Sequence, residues 1–413
     1  RSILTGEYLA ELSNTASVLN QVLASNDAYL AWTPQMKMRL YHYPDDDLVP
    51  YGNSTNACNA FKGRSAPHTD LVAFGNQWPL SALIEWLKDK MGSYHGAAAP
   101  IAYVASISWL YDLAYGWGND FQYPPNDIDG DGLTDLVLYD EQSGNWQLML
   151  SSQGQSWRAS GAGQKQQVSF SQIALGGPGQ TPLASDFDGD GKADPAVYHE
   201  ASGLWTLLLS WFDYIPVIFP LGGSGSVPVP QDYDGDRISD ACAYNAGAGT
   251  WNVFLLTTDR LVTLAFGGPG FAPVRGDFDG DRKADPALYR AADGLWSVAL
   301  SSSGYSIASA ICGGSGYAPM PADYDGDGKT DLCVYRQADA RWQICLSGSG
   351  YARSEFCFGG PGFSAIAGDF GAGGKAGIIL YSAGTGLWQG ILSINGFSDD
   401  CWSFGGPHYA PVQ

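Results

Sequence analysis

The chain has few cations, no long apolar run and little helical periodicity. Lys and Arg number 21 against 42 Asp and Glu, a formal net charge of −21 over 413 residues. Phosphate binding needs clustered Lys and Arg, and these are not clustered, so nucleic acid is not an expected partner. No run of roughly 18 or more apolar residues occurs, so no membrane-spanning helix is expected. The opening Arg1-Ser-Ile-Leu-Thr-Gly-Glu7 reads as the approach to a helix and not as a secretory signal. The Gly-x-Ser-x-Gly nucleophile elbow of a serine hydrolase occurs nowhere. Cysteine is sparse and odd in number, at 7. Cys242, Cys312, Cys333, Cys345, Cys357 and Cys401 fall in strand-like segments and read as small core residues. Cys333 and Cys345 sit on successive strands and are placed to pair, which spacing alone leaves open.

What the chain has in abundance is one acidic phrase, repeated. It reads Asp127-Ile-Asp129-Gly-Asp131-Gly-Leu133-Thr-Asp135 and returns at 186–194, 232–240, 277–285 and 323–331. Carboxylates stand at positions 1, 3, 5 and 9: Asp127, Asp129, Asp131 and Asp135, then Asp186, Asp188, Asp190 and Asp194. The later copies carry Asp232, Asp234, Asp236 and Asp240, then Asp277, Asp279, Asp281 and Asp285, then Asp323, Asp325, Asp327 and Asp331. Four like charges so close together repel unless a hard cation lies between them. Oxygen ligands on a flexible turn suit Ca²⁺ better than Mg²⁺, which demands a tighter octahedron and keeps its waters. The residues at position 7 (Leu133, Lys192, Ile238, Lys283, Lys329) vary, as expected if only their backbone carbonyl binds. The last carboxylate falls at position 9 and not 12, so this is no EF-hand. About five calcium sites are expected, and much of the net charge is site chemistry.

The period continues outside the loops. A Tyr follows each loop, with a Trp seven residues on: Tyr139/Trp146, Tyr198/Trp205, Tyr244/Trp251, Tyr289/Trp296, Tyr335/Trp342 and Tyr381/Trp388. Short segments between Gly/Pro/Ser turns alternate apolar and polar residues, the pattern of strands. Four antiparallel strands, A to D, in about 46 residues is the size of a propeller blade. In these loops and this period the chain resembles the FG-GAP or VCBS repeats of integrin-type β-propellers, also found in propeller lectins. The resemblance spans roughly residues 100 to 413 and implies a calcium loop between the first two strands of each blade.

Six A-to-D units run from about Gln122 to Phe404, and Gly405 to Gln413 matches a further A strand. Ile101 to Ser108 and Leu110 to Gly116 match C and D strands ahead of the first unit. Joining these partial sets avoids an unpaired edge. The expected fold is therefore mainly β, a seven-bladed propeller whose last blade is closed by both termini, over 101–413. A six-bladed ring with spare edge strands is the alternative. The sixth loop, Asp369-Phe-Gly371-Ala-Gly373-Gly-Lys-Ala-Gly377, has Gly for three of its four carboxylates and should bind no metal.

Residues 1–92, joined by a linker over 93–100, show none of this period. A helix around Tyr8 to Leu23, a strand from Met36, a helix at Asn53 to Phe61, a strand at Asp70 to Phe74 and a last helix at Pro79 to Met91 make a small α/β segment. That order resembles the end of an α/β-hydrolase, particularly secreted lipases and esterases. Their motif His-Gly-x-x-Asp-x-x-Val-Pro is matched by His42, Tyr43 in place of Gly, Asp46, Val49 and Pro50. The resemblance implies Asp46 as the triad acid. His68 and His95 do not fall where the family's triad His stands, and a nucleophile would have to lie upstream of this chain.

Two functions follow as expectations. The first is an extracellular or cell-surface binding, adhesion or targeting module for glycans or surface proteins. Its candidate contacts are aromatics outside the Tyr/Trp repeat: Trp157, Trp211, Tyr214, Tyr305, Tyr317 and Tyr351. The second is the C-terminal part of a secreted lipase or esterase completed by an upstream segment. The repeated Tyr and Trp themselves read as core.

Overall fold

The computed structural model describes residues 38–42, 69–73, 125–152, 171–371, 373–391 and 400–412. The chain divides into two compact units, 1–106 and 107–413. In the first, Met38–His42 pairs in parallel with Thr69–Ala73. A two-stranded parallel pair does not make a hydrolase fold, and the hydrolase resemblance gains no support from it. Asp46, His68 and His95 lie outside the described residues, as do the three helices expected over 1–92.

The second unit is a six-bladed propeller. Blade 2 takes its four strands in order: Gln180–Ser185, Asp194–His199, Leu204–Leu209 and Ile215–Pro220, each antiparallel to the next. Blades 3, 4, 5 and 6 repeat this order along the chain. Blade 1 does not. Its B, C and D strands are Leu136–Asp140, Asn145–Met149 and Ser171–Ala174, and its A strand is Tyr409–Pro411 from the far end of the chain. The expectation of seven blades is corrected here. The C-terminal strand does not found a new blade, because the edge of Leu136–Asp140 is where it finds its backbone partners. The segments 101–108 and 110–116 lie outside the described residues.

A second set of bonds closes the ring. At each blade boundary the N–H at loop position 8 reaches the carbonyl at position 1 of the preceding loop. These are Ala193 to Asp127 (2.5 Å), Ser239 to Asp186, Ala284 to Asp232, Thr330 to Asp277 and Ala376 to Asp323 (each 2.6 Å), and Thr134 to Asp369 (2.8 Å). The last joins blade 1 to blade 6. The loop that lacks three of its four carboxylates keeps Asp369, and with it the ring.

Within blades the repeated Tyr and Trp stand directly opposite one another on strands B and C, with ring centroids 4.4 to 5.3 Å apart, and are buried. Each Trp indole N–H donates to a carbonyl at the end of strand D, as Trp296 does to Cys312 at 3.0 Å. Each Tyr hydroxyl takes an N–H from the Gly-Gly turn into the next blade, such as Gly268 to Tyr244 at 3.0 Å. A Cβ on Gly267 would sit 2.5 Å from that hydroxyl, and its φ of +101° already favours glycine. This close approach is why Gly-Gly recurs with the Tyr. Core packing is thus the role of the repeated aromatics.

Candidate metal centre

Each acidic loop is shaped by its own first and last carboxylates. Asp127 accepts the N–H groups of Gly130 (2.8 Å) and Gly132 (2.8 Å), curling the loop around its side chain. Asp135 accepts Ile128 N–H on one oxygen (2.7 Å) and Ser151 N–H on the other (2.6 Å). The same scheme recurs through Asp186 and Asp194, Asp232 and Asp240, Asp277 and Asp285, and Asp323 and Asp331. Each carboxylate oxygen has two lone pairs, so a bond from one N–H leaves room for a cation.

Carboxylate oxygens gather within 4.8 Å of one another in five groups, and each group can hold a metal ion. They are Asp127/Asp129/Asp135, Asp186/Asp188/Asp194, Asp232/Asp234/Asp236, Asp277/Asp279/Asp285 and Asp323/Asp325/Asp331. Four groups use positions 1, 3 and 9, and blade 3 uses 1, 3 and 5. In all five blades the carboxylate at position 5 accepts a hydroxyl from the same turn, that of Thr257 for Asp236 in blade 3 and that of a serine in the other four. Ser151 donates to Asp131 (2.6 Å), Ser210 to Asp190 (3.0 Å), Ser301 to Asp281 (2.9 Å) and Ser347 to Asp327 (2.8 Å).

Those serines belong to a second wall that the sequence reading missed, the turn between strands C and D. It also reaches position 3: Ser152 to Asp129, Trp211 N–H to Asp188 (2.9 Å) and Ser302 hydroxyl to Asp279 (2.7 Å). A signal existed. Ser recurs 16 residues after the position-9 Asp in four of the five copies, with Leu256 in the fifth. Position 7 is also not idle. A Cβ on Gly130 would lie 3.0 Å from Lys192 of the next blade, and Gly235 and Gly280 meet Lys283 and Lys329 likewise. The lysine stem therefore packs on its neighbour's position-4 glycine. Leu133 and Ile238 are buried.

The carboxyl groups carry the mark of crowding. Burial first, and then Asp188, pushes Asp186 up to about 8. Burial, with neighbouring carboxylates behind it, raises Asp135 and Asp232 to about 7 and Asp127 and Asp277 to about 6. Crowded, buried carboxylates take up protons more readily than free ones.

All six position-1 residues line a central channel of about 1680 Å³. Of the expected contact aromatics, Trp211, Tyr214, Tyr305 and Tyr351 are exposed. Tyr317 is not: it is buried, with the Arg336 guanidinium 4.5 Å above its ring. Trp157 lies outside the described residues. Tyr214, Tyr305 and Tyr351 occupy one equivalent turn, each N–H bonded at 2.8 Å to a carbonyl of strand C (Leu209, Leu300, Leu346). The same turns bond to the loop carboxylates through Ser210, Ser301 and Ser347, which places these Tyr beside the acidic loops.

The model of the FG-GAP-like repeat matches residues 127–197, which contain the first two acidic loops. Residues 127–197 are thus similar to an FG-GAP-like repeat, and they sit on a β-propeller. No curated protein matches. Similar solved structures include virginiamycin B lyase from Staphylococcus aureus, at 9% identity and TM-score 0.41 over 66% of this chain and 86% of that one. A lectin from Agrocybe aegerita that recognises non-reducing terminal N-acetylglucosamine gives 15% and 0.44, over 65% and 75%. A putative 6-phosphogluconolactonase from Bacteroides fragilis gives 11% and 0.43, over 69% and 99%. At such identities and scores none of them bears on what this chain binds.

Proposed function

We propose that the propeller is an extracellular or cell-surface binding module whose acidic loops hold structural Ca²⁺. The ions would take the carboxylates at positions 1, 3, 5 and 9 and the carbonyl at position 7 of each of the five loops. That all-oxygen set suits Ca²⁺, and millimolar calcium outside cells would keep the sites filled. The sixth loop lacks the donors for one.

The observation that carries the binding role is the repetition of an exposed Tyr on the turn bonded to the acidic loop in blades 2, 4 and 5. An exposed aromatic face suits a sugar ring or a polar protein surface. Three such places on one ring would turn weak single contacts into avidity. A glycan array and a panel of surface-protein ectodomains, probed with wild type and with Tyr214, Tyr305 and Tyr351 all changed to Ala, test this. Binding that falls at least tenfold in the triple variant supports the proposal. A wild-type ligand held equally by the variant, at an unchanged melting temperature, would move the site elsewhere.

A further inference from the structure

We infer that Cys312 and Cys345 form a disulfide that staples blade 4 to blade 5. Cys312 follows strand D of blade 4 (Ser306–Ile311), and Cys345 lies in strand C of blade 5 (Arg341–Leu346). Their sulfurs are 2.9 Å apart, inside the contact distance of two unbonded sulfur atoms. A bond of roughly 2.05 Å needs a closure of only about 0.9 Å. Both cysteines are buried in one apolar cluster with Val274, Trp296 and Leu332, so strands already hold them face to face.

The pairing that spacing left open, Cys333 with Cys345, is disfavoured by register. Cys345 stands opposite Leu332, and Cys333 opposite Ile344, one residue along. Side chains alternate faces along a strand, so the two thiols emerge on opposite sides of the blade. Cys333 accordingly packs toward blade 6, with Ala365, Ile378 and Leu380.

The chemistry needs a disulfide oxidant, such as oxidised glutathione. Before blades 4 and 5 close over it, the Cys345 thiolate attacks one sulfur of the oxidant, releasing one glutathione thiolate and leaving a mixed disulfide. Cys312 then gives up its proton and attacks the Cys345 sulfur, closing the bridge and releasing the second glutathione. Two thiol protons and two electrons leave the protein, and the oxidant departs as two thiols.

Peptide mapping decides the matter, because trypsin places each thiol on its own fragment. Cys312 falls in 291–329, Cys333 in 330–336 and Cys345 in 342–353. The full chain, as purified and after refolding in glutathione buffers, is denatured, alkylated and digested without reduction. The expected result is the 291–329/342–353 pair joined, with Cys333 alkylated. Reduction should lower the melting temperature by on the order of 5 °C, a loss absent from Cys345→Ser. Cys312 and Cys345 both alkylated under fully oxidising conditions, or Cys333 joined to either, overturns the inference.

Discussion

The backbone N–H of Thr134 meets the carbonyl of Asp369 at 2.8 Å, and this bond sets blade 1 against blade 6. It has the same form as the five other bonds between neighbouring loops. The sixth loop can therefore lack three of its four carboxylates and remain part of the ring, because the bond across the boundary uses the backbone carbonyl of position 1.

Closure gives a direct prediction. Removing residues 407–413 takes away strand A of blade 1, which pairs with Leu136–Asp140, together with the Val412 carbonyl that accepts from Asn126 (2.9 Å). Loss of these ladder bonds and an exposed edge should cost several kcal/mol, about 3 or more, and promote aggregation. Calorimetry of the truncated chain checks this. A melting temperature within a degree or so of the full chain's would argue against closure by the C-terminal strand.

Calcium binding should be countable. Titration calorimetry of metal-free protein is expected to show about five sites. Asp186→Asn should remove one of them, and Asp369→Asn none. Chelation should lower the melting temperature, since a site filled at a hundred times its dissociation constant contributes about 2.7 kcal/mol. Magnesium should restore less of it than calcium. Equal melting temperatures with and without chelator would sink the structural role.

The same sites predict a pH dependence in chelated protein. Asp186 titrates at about 8 and Asp127 at about 6 in the fold, against an ordinary 3.8. Between roughly pH 4 and pH 8 the folded form therefore holds more protons than the unfolded chain, so stability falls as pH rises. Thermal melts in chelator should give a lower midpoint near pH 8 than near pH 5. With calcium bound the ion takes the protons' place, and the fall should be absent.

Tyr289→Phe probes the core. The hydroxyl accepts Gly314 N–H at 3.0 Å in a packed site, and its loss leaves that donor without its partner. The expected cost is about 1–3 kcal/mol, read from denaturant unfolding, with calcium stoichiometry unchanged.

The repeat, the strand order within a blade, the Tyr/Trp core and the acidic positions were all legible in the sequence. Each depends on residues near one another in the chain, so spacing and alternation record them directly. The Ser151-type second wall was half legible, as a fixed spacing of 16 residues whose meaning only the folded turn reveals. Three things were decided by tertiary structure. Blade number turned on which free edge the last strand would meet, and the hydrogen bonds of Leu136–Asp140 gave the answer. Thiol pairing turned on a one-residue register that sends Cys333 and Cys345 to opposite faces. Which aromatics face solvent turned on the neighbouring side chains: Tyr317 lies under Arg336, while Tyr305 stands clear. Local spacing specifies the blade. The ring and what it exposes arise from contacts between residues far apart in sequence, which no single period encodes.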